Sequence, residues 1–452
     1  MKKFVYSMVI LATLLALTFV PTVAAPSKIG INVVLTGPLN ADIRADLGKY
    51  GRIAKEIPAL NALTMKVDVD TLATIQALPY VEAANPDAER NAVPIDTVSA
   101  TNFANGINLW NLDSVNVTQP FNKRTVAYDG TDVIVAVLDT GLVDAWRSYF
   151  PQERILVEYA KSFAGGGGEV GNVSEQPNKW EHDQNSHGTH VTSTIIGFQA
   201  GPNKFNGVAP LVKVIPVKVL NQNGSGWSSV IAEGITYIAD LKKGPLADYP
   251  IVINMSLGGS VLDAIEKEAI DYAIDAGVLI VASAGNSGTK GMGYPGAYEP
   301  VISVAASGWI GQWTAGNWFL LDVPDPTNPA DFFIADFSSR ALEGQDLDVT
   351  APGAAVLGPY KVNSGNELTY YYLSGTSMAS PHVAGIVALM AQKNPGLTNP
   401  VAEGILESTA IYMEPGCRDI LARPGTPGTV CWGADATGAG LTTADAALAA
   451  TP

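Results

Sequence analysis

From residue 29 onward the chain breaks into short apolar stretches whose period changes in a fixed order. Ile29–Leu35 reads as a strand, Ala41–Tyr50 as a helix, Arg52–Ile57 and Ala62–Val69 as strands, Thr71–Leu78 as a helix and Tyr80–Ala83 as a last short strand. That order is the split βαβ plan, which predicts a small ferredoxin-like α+β domain. Asn85–Pro94 is polar, has no periodicity and contains Pro86 and Pro94, so it reads as a linker. Beyond it the pattern is different. Val133–Leu138, Val212–Val219, Ile251–Met255, Val278–Ser283 and Val301–Ala305 are nearly continuous apolar runs. They alternate with helical segments: one opening at His187, then Ser228–Leu241, Leu262–Ala276 and the apolar run Val383–Met390. Strands that are apolar on both faces, set between amphipathic helices, imply an α/β fold with a parallel sheet covered on both sides. In such sheets ligands gather at the carboxyl ends of the strands.

The ends and the charge narrow the class. Lys2 and Lys3, an apolar run Phe4–Val20 and the small residues Val23-Ala24-Ala25 have the make-up of an export signal over residues 1–25. The run is also near the lower length for an uncleaved anchor, but a protein without a stable membrane anchor, released as a secreted product, is the expectation. With 27 Lys+Arg against 43 Asp+Glu the net charge is −16, which opposes phosphate backbones and excludes nucleic acid as the partner class. Cys417 and Cys431 are the two cysteines; export permits a disulfide between them, and two cysteines alone do not prove one. The run Gly165–Gly168 lacks the strand, helix and Lys-Ser/Thr context of a phosphate cradle and reads as a surface loop.

Three segments carry candidate chemistry. Asp139-Thr140-Gly141 follows the Val133–Leu138 strand directly, placing a carboxylate at its carboxyl end. Asn185-Ser186-His187-Gly188-Thr189-His190-Val191 supplies an imidazole where a helix begins. Ser374-Gly375-Thr376-Ser377-Met378-Ala379-Ser380-Pro381-His382-Val383-Ala384-Gly385 puts a serine at the mouth of a buried helix, where free amides and the helix dipole favour developing negative charge. Pro381 gives no amide to the carbonyl of Ser377, which should bend the helix entry. Taken singly, the three read as a turn residue, a helix cap and a core-helix cap. A zinc site from His187, His190 and His182 lacks the glutamate and the spacing of metalloprotease helices. His190 and His382 read as packing residues behind the site.

In the order Asp, His, Ser these segments resemble the subtilisin-like serine proteases, the subtilases of peptidase family S8, over roughly residues 93–449. The resemblance implies a parallel seven-stranded sheet with helices on both faces, and a serine endopeptidase in which Ser377 attacks, His187 carries the proton and Asp139 orients the imidazole. It implies that Asn286, in Ala282-Ser283-Ala284-Gly285-Asn286, completes an oxyanion hole with the amide of Ser377. Gly224-Ser225-Gly226 and Ser256-Leu257-Gly258 resemble the two backbone edges between which an extended protein or peptide substrate is paired. Ser283, Ala284 and Gly293 would line the primary pocket, leaving room for a large apolar side chain, with no carboxylate evident there to select Lys or Arg, so broad specificity is the expectation. By position, residues 26–90 resemble the propeptide that assists folding and then inhibits its own protease, with a cut near Arg90 dividing it from a peptidase domain over 91–452. Gly197–Asn206 lacks the ligand pattern of the strong calcium loop, whereas Asp348 matches a residue of a weaker cation site that the carbonyls of Gly296, Tyr298 and Val301 would complete, so structural calcium is the implied cofactor. The aromatic stretch Trp309–Ile334 is longer than the family core and either rims the cleft or closes over its own cluster. The rival reading is a catalytically silent subtilase-like binder or chaperone. An α/β-hydrolase esterase would place acid and base after the serine, and a sedolisin would use a glutamate base.

Overall fold

The computed structural model describes residues 28–91, 96–99, 109–119, 123–163, 178–361, 369–422 and 425–452. The expected export segment and Gly165–Gly168 lie outside them.

The N-terminal domain is built from β1 (Lys28–Leu35), α1 (Ala41–Leu47), β2 (Gly51–Ile57), β3 (Ala62–Asp68), α2 (Leu72–Gln76) and β4 (Val81–Pro86). Its sheet has the order β2-β3-β1-β4 with every pairing antiparallel. This is the predicted strand–helix–strand–strand–helix–strand plan. The two-residue period of β1 gives its faces different work. Ile31, Val33 and Leu35 pack with Leu63, Met65, Leu47 and Ile75 into the domain's own core. Val34 turns the other way and joins Ile57, Leu60 and Ala62 against Ile265, Ala269 and Ile270 of the larger domain. Asn32 lies on that second face and is fully buried.

The larger domain is organised around β6 (Ile134–Asp139), β7 (Lys161–Ser162), β8 (Lys213–Lys218), β10 (Ile251–Met255), β11 (Val278–Ser283), β12 (Ile302–Trp309) and β14 (Val349–Pro352), with the short β9 (Ser225–Trp227) apart from them. The sheet runs β7-β8-β6-β10-β11-β12-β14, and these seven strands are parallel; β13 (Phe332–Ile334) adds an eighth, antiparallel to β12. Helices α3 (His187–Ile196), α4 (Ser228–Lys243), α5 (Ala264–Asp275) and α6 (Thr376–Lys393) cover it. Two large buried clusters, one on each face, confirm the covered parallel sheet. Helix α6 is buried from Thr376 to Ala391, as expected of a helix apolar all round. Pro381 sits inside it, and the carbonyl it leaves without an amide partner, that of Ser377, accepts the Ser256 hydroxyl at 2.8 Å.

The stretch Trp309–Ile334 closes over its own cluster. Trp318 packs on Trp313 at 5.0 Å and on Tyr372 at 5.3 Å between ring centroids, and Trp110 stacks on Trp309 at 6.4 Å. Its last residues supply β13, which local pattern did not reveal because three residues show no period. Strands β15 (Gly416–Ala422) and β16 (Thr426–Trp432) form a hairpin in which Cys417 and Cys431 stand opposite each other and are joined by a disulfide.

One expectation is corrected. Residues 89–91 of the presumed linker form β5 (Glu89–Asn91), paired antiparallel with β9. A three-residue strand made against an edge far along the chain leaves no local signature. Gly197–Asn206, where a calcium loop was not expected, is a two-stranded hairpin held by the stacked rings of Phe198 and Phe205 at 4.9 Å.

Candidate active site

The strand-end prediction holds in detail. Asp139 is the last residue of β6, pairs across to Lys218 at the end of β8, and is wholly buried. Its carboxylate accepts the amide of Thr140 at 2.6 Å and lies 2.9 Å through each oxygen from Nδ1 of His187. That contact fixes the ring proton on Nδ1 and leaves Nε2 as the acceptor. His187 is the first residue of α3 and is buried; Nε2 has no partner among the described residues.

Support for the pair comes from residues that the motif reading did not single out. Asp183 is buried and accepts the Thr140 hydroxyl at 2.7 Å and the amides of Asn185 and Ser186, each at 2.8 Å. Thr140 Oγ1 in turn accepts the amide of Gly188 at 2.9 Å. Ser186 is held at φ 77°, a strained conformation for a residue with a Cβ, and the Asp183 carboxylate on its amide is what stabilises the turn that launches His187. Burial pushes the Asp183 carboxyl up to about 6, against the Lys218 ammonium and the Thr140 hydroxyl, which pull the other way. Lys218 donates to the carbonyls of Thr140 at 2.6 Å and Leu220 at 2.8 Å, and burial lowers its own proton affinity. The signal that could have found Asp183 is its place four residues before His187, just ahead of the Asn185-Ser186-His187 segment.

Ser377 occupies the first turn of α6 and is nearly fully buried; its Oγ donates to the carbonyl of Ser256 at 3.1 Å. Asn286 is placed beside it. Asn286 Oδ1 accepts the amide and the hydroxyl of Thr376 at 2.9 and 3.0 Å, which turns Nδ2 away from Thr376. A Cβ on Gly375 would stand 3.4 Å from that Nδ2.

The two other histidines near the site are packing residues, as expected. His190 bonds the Val356 carbonyl at 3.1 Å and burial depresses it to about 3; His382 bonds the Met378 carbonyl and the Asn111 amide, each at 2.8 Å, and burial depresses it to about 4. His182 is exposed and pairs with Asp144 at 2.5 Å, and among the described residues the three histidines form no group of converging ligand atoms.

Of the predicted substrate edges, Ser225 and Gly226 lie in β9 and carry β5 as an added strand, with Gly226 opposite Arg90 and Ser225 opposite Asn91; Gly224 turns into β9 at φ 73°. Ser256, Leu257 and Gly258 follow the end of β10 directly. The next residue, Gly259, must be a glycine, since a Cβ there would stand 2.3 Å from the Glu89 carbonyl. Ser283 Oγ bonds the Leu257 carbonyl at 3.3 Å, and the Gly293 amide bonds the Ala284 carbonyl at 2.9 Å, so the three pocket residues are neighbours. Gly293 leads into Tyr294, whose bridge to Gly259 ties that wall to the second edge.

Asp348 is fully buried and accepts the amide and hydroxyl of Ser303 through Oδ2 at 2.6 and 2.9 Å, while Oδ1 has no partner among the described residues. Asp346 and Glu403 bring carboxylate oxygens into the same cluster, all within 4.8 Å of one another. Glu403 comes from a helix, Asn399–Thr409, that the ligand search from sequence did not reach. A buried orphan oxygen among three carboxylates suits a hard cation such as calcium.

Residues 130–442 match the Subtilase family. The thermostable alkaline protease of Halalkalibacterium halodurans is 33% identical over 359 residues, covering 79% of each chain. Subtilisin DY of Bacillus licheniformis is 35% identical over 290 residues, 63% of this chain and 86% of that one. Fervidolysin from Fervidobacterium pennivorans, a keratinolytic enzyme related to subtilisin, superposes with a TM-score of 0.64 at 25% identity over 94% of this chain; the match spans 61% of fervidolysin.

Proposed function

This chain belongs to the subtilase family and is a subtilisin-like serine endopeptidase; from that we propose that Ser377, His187, Asp139 and Asn286 carry its chemistry through an acyl-enzyme. The observation that carries the assignment is the state of the His187 ring: Nδ1 lies 2.9 Å from both Asp139 oxygens and the buried Nε2 has no partner among the described residues. A neutral imidazole so held offers its lone pair to a hydroxyl. When substrate fills the cleft, the Ser377 hydroxyl exchanges the Ser256 carbonyl for Nε2. Oγ then bonds to the substrate carbonyl carbon as its proton moves to Nε2. The C–N bond breaks, the departing amine takes that proton, and water repeats the sequence to release the acyl group. Asn286 Nδ2 and the Ser377 amide stabilise the oxyanion, a contribution on the order of 10²–10³ in kcat known from subtilisin itself.

The substrate enters as an extended strand between Gly224-Ser225-Gly226 and Ser256-Leu257-Gly258, and the small residues Ser283, Ala284 and Gly293 favour a large apolar side chain in the primary pocket. A strict requirement for a basic residue in that pocket, in a peptide library, would overturn this preference. The lodging of β5 on β9 supports a second role for residues 26–90, that of an intramolecular inhibitor removed by Ser377 near Arg90, at or just beyond the end of β5. Among the described residues no helix is long and apolar enough to cross a membrane. The export-like residues 1–25 support secretion. Calcium held by Asp346, Asp348 and Glu403 would be structural; a chelator should then lower the unfolding temperature of the wild type and leave Asp348→Asn unmoved.

The deciding experiment compares the intact mass and N-terminus of the exported wild type and Ser377→Ala. Loss of about the first ninety residues in wild type alone supports both the nucleophile and self-processing. Equal processing of both would assign the cut to another protease, and an inert, unprocessed wild type would favour the silent binder.

A further inference from the structure

Arg90 is a long, cationic side chain with no exposed surface, and it lies on the strand that occupies the substrate edge. Its Nε lies 3.1 Å from each oxygen of Glu266, its Nη2 bonds Glu266 Oε2 and the Val261 carbonyl, the latter at 3.0 Å, and its Nη1 bonds the Glu89 carbonyl at 3.1 Å. Glu266 is equally buried, in the first turn of α5, and among the described residues Arg90 is the hydrogen-bond partner of its carboxylate. Its neighbours on the helix, Ile265, Ala269, Ile270 and Ala273, are buried apolar residues. A carboxylate in that company is costly to bury unless it is paired. Its partner here belongs to the segment that leaves on self-processing.

We propose that the Glu266 pocket is an arginine-selecting subsite for substrates, filled in the uncut chain by Arg90 as a stand-in, and that Glu266 sets the enzyme's preference at the substrate residue opposite Gly226. This rests on the reading of β9 as a substrate edge and of β5 as its temporary occupant. When β5 departs, the pocket retains two carboxylates of the larger domain, Glu266 and Asp263, both buried in the uncut chain. The flat fork of an arginine fits what the larger domain offers Arg90, both oxygens of Glu266 and the Val261 carbonyl, while the Glu89 carbonyl of its own strand takes the remaining Nη1. A lysine reaches fewer of them. The subsite lies on the amino side of the scissile bond and is separate from the Ser283–Ala284–Gly293 pocket, so selection of arginine here is compatible with an apolar residue there.

The test uses two quenched peptides that copy residues 86–99, one with arginine and one with leucine at the place of Arg90. They are offered to the matured wild type and to the Arg90→Leu/Glu266→Leu double variant, in which the paired change removes both buried charges together. Wild type is expected to prefer the arginine peptide by at least about tenfold in kcat/KM, and the double variant to prefer leucine. Equal rates with wild type, or the same preference in both proteins, would overturn the subsite. A wild type that cuts casein but neither peptide would also overturn it while keeping the endopeptidase reading; one that cuts nothing would remove both.

Discussion

Two polar clusters are sealed inside this molecule, and they differ in who supplies the residues. Asp139, His187, Thr140, Asp183 and Lys218 all belong to the larger domain, with Asp139 and Lys218 ending two adjacent parallel strands and the others gathered around Asp139. The second cluster is shared. Asn32, Asp87 and Arg90 come from the N-terminal segment, and Ser228, Ser229, Asp263 and Glu266 from the helices that receive it. There Asn32 Nδ2 donates to Asp87 and Asp263 at 3.1 Å each, and the Ser228 hydroxyl lies 2.9 Å from Asp87. Both clusters carry the desolvation cost of buried charge, but only the first lies within a single domain. A cluster within one domain suits a proton relay whose geometry must persist through turnover. A divided one suits a contact that must be made and then exchanged.

The largest expected effect breaks the first cluster alone. Asp139→Asn keeps the volume and offers His187 a group that no longer fixes the proton on Nδ1. We expect kcat to fall by a factor on the order of 10⁴, with the domain interface intact and thermal unfolding little changed. Peptide hydrolysis and calorimetry on one preparation decide it; a loss under about tenfold would remove Asp139 from the role of orienting acid.

The second cluster is broken next, in the Ser377→Ala background, where both domains are expected to stay joined. Arg90→Leu or Glu266→Leu alone strands a buried charge, and each should cost about 3–5 kcal/mol in denaturant unfolding. The two together should restore most of that loss, because an apolar pair replaces an ion pair of similar volume. Losses that simply add would mean that the two side chains do not depend on each other.

These clusters also differ in how far they could be read from sequence. Asp139 and His187 were legible because a strand end and a helix start are local patterns, and the motifs stand directly on them. Ser377 was legible for the same reason, while Asn286, in a loop after a strand, came only from the resemblance. Asp183, which holds the strained Ser186, belongs to no periodic segment and was missed. The second cluster was illegible throughout: Glu266 looks like one polar residue on an amphipathic helix, and Arg90 like part of a polar linker. Their pairing spans 176 residues, and nothing local records it. The fold followed the same rule. The parallel core and the N-terminal domain appeared in the apolar pattern, while β5, β7 and β13, two or three residues each, exist only through their partners.

The smallest expected effect is a slope with pH, and it separates the clusters by sign. Burial first, and the facing Asp263 after it, hold the Asp87 carboxyl above the usual range, while bonds from Ser229 and Asn32 pull it down. Glu266 and Arg90 are the other charged groups of the cluster, and both feel Asp87. Because docking raises the proton affinity of Asp87, it takes up a proton. Docking is therefore strongest below the ordinary carboxylate pKa of about 4 and weakens as pH rises through the raised value. In Ser377→Ala, limited proteolysis of the N-terminal domain should accordingly speed up from acid to neutral pH. Asp87→Asn should flatten that dependence, since an asparagine keeps the Oδ1 acceptor for Asn32, Ser228 and the Ser229 amide but does not titrate. A slope unchanged by Asp87→Asn would assign the titration elsewhere in the cluster, with Glu266 the next group to test by Glu266→Gln.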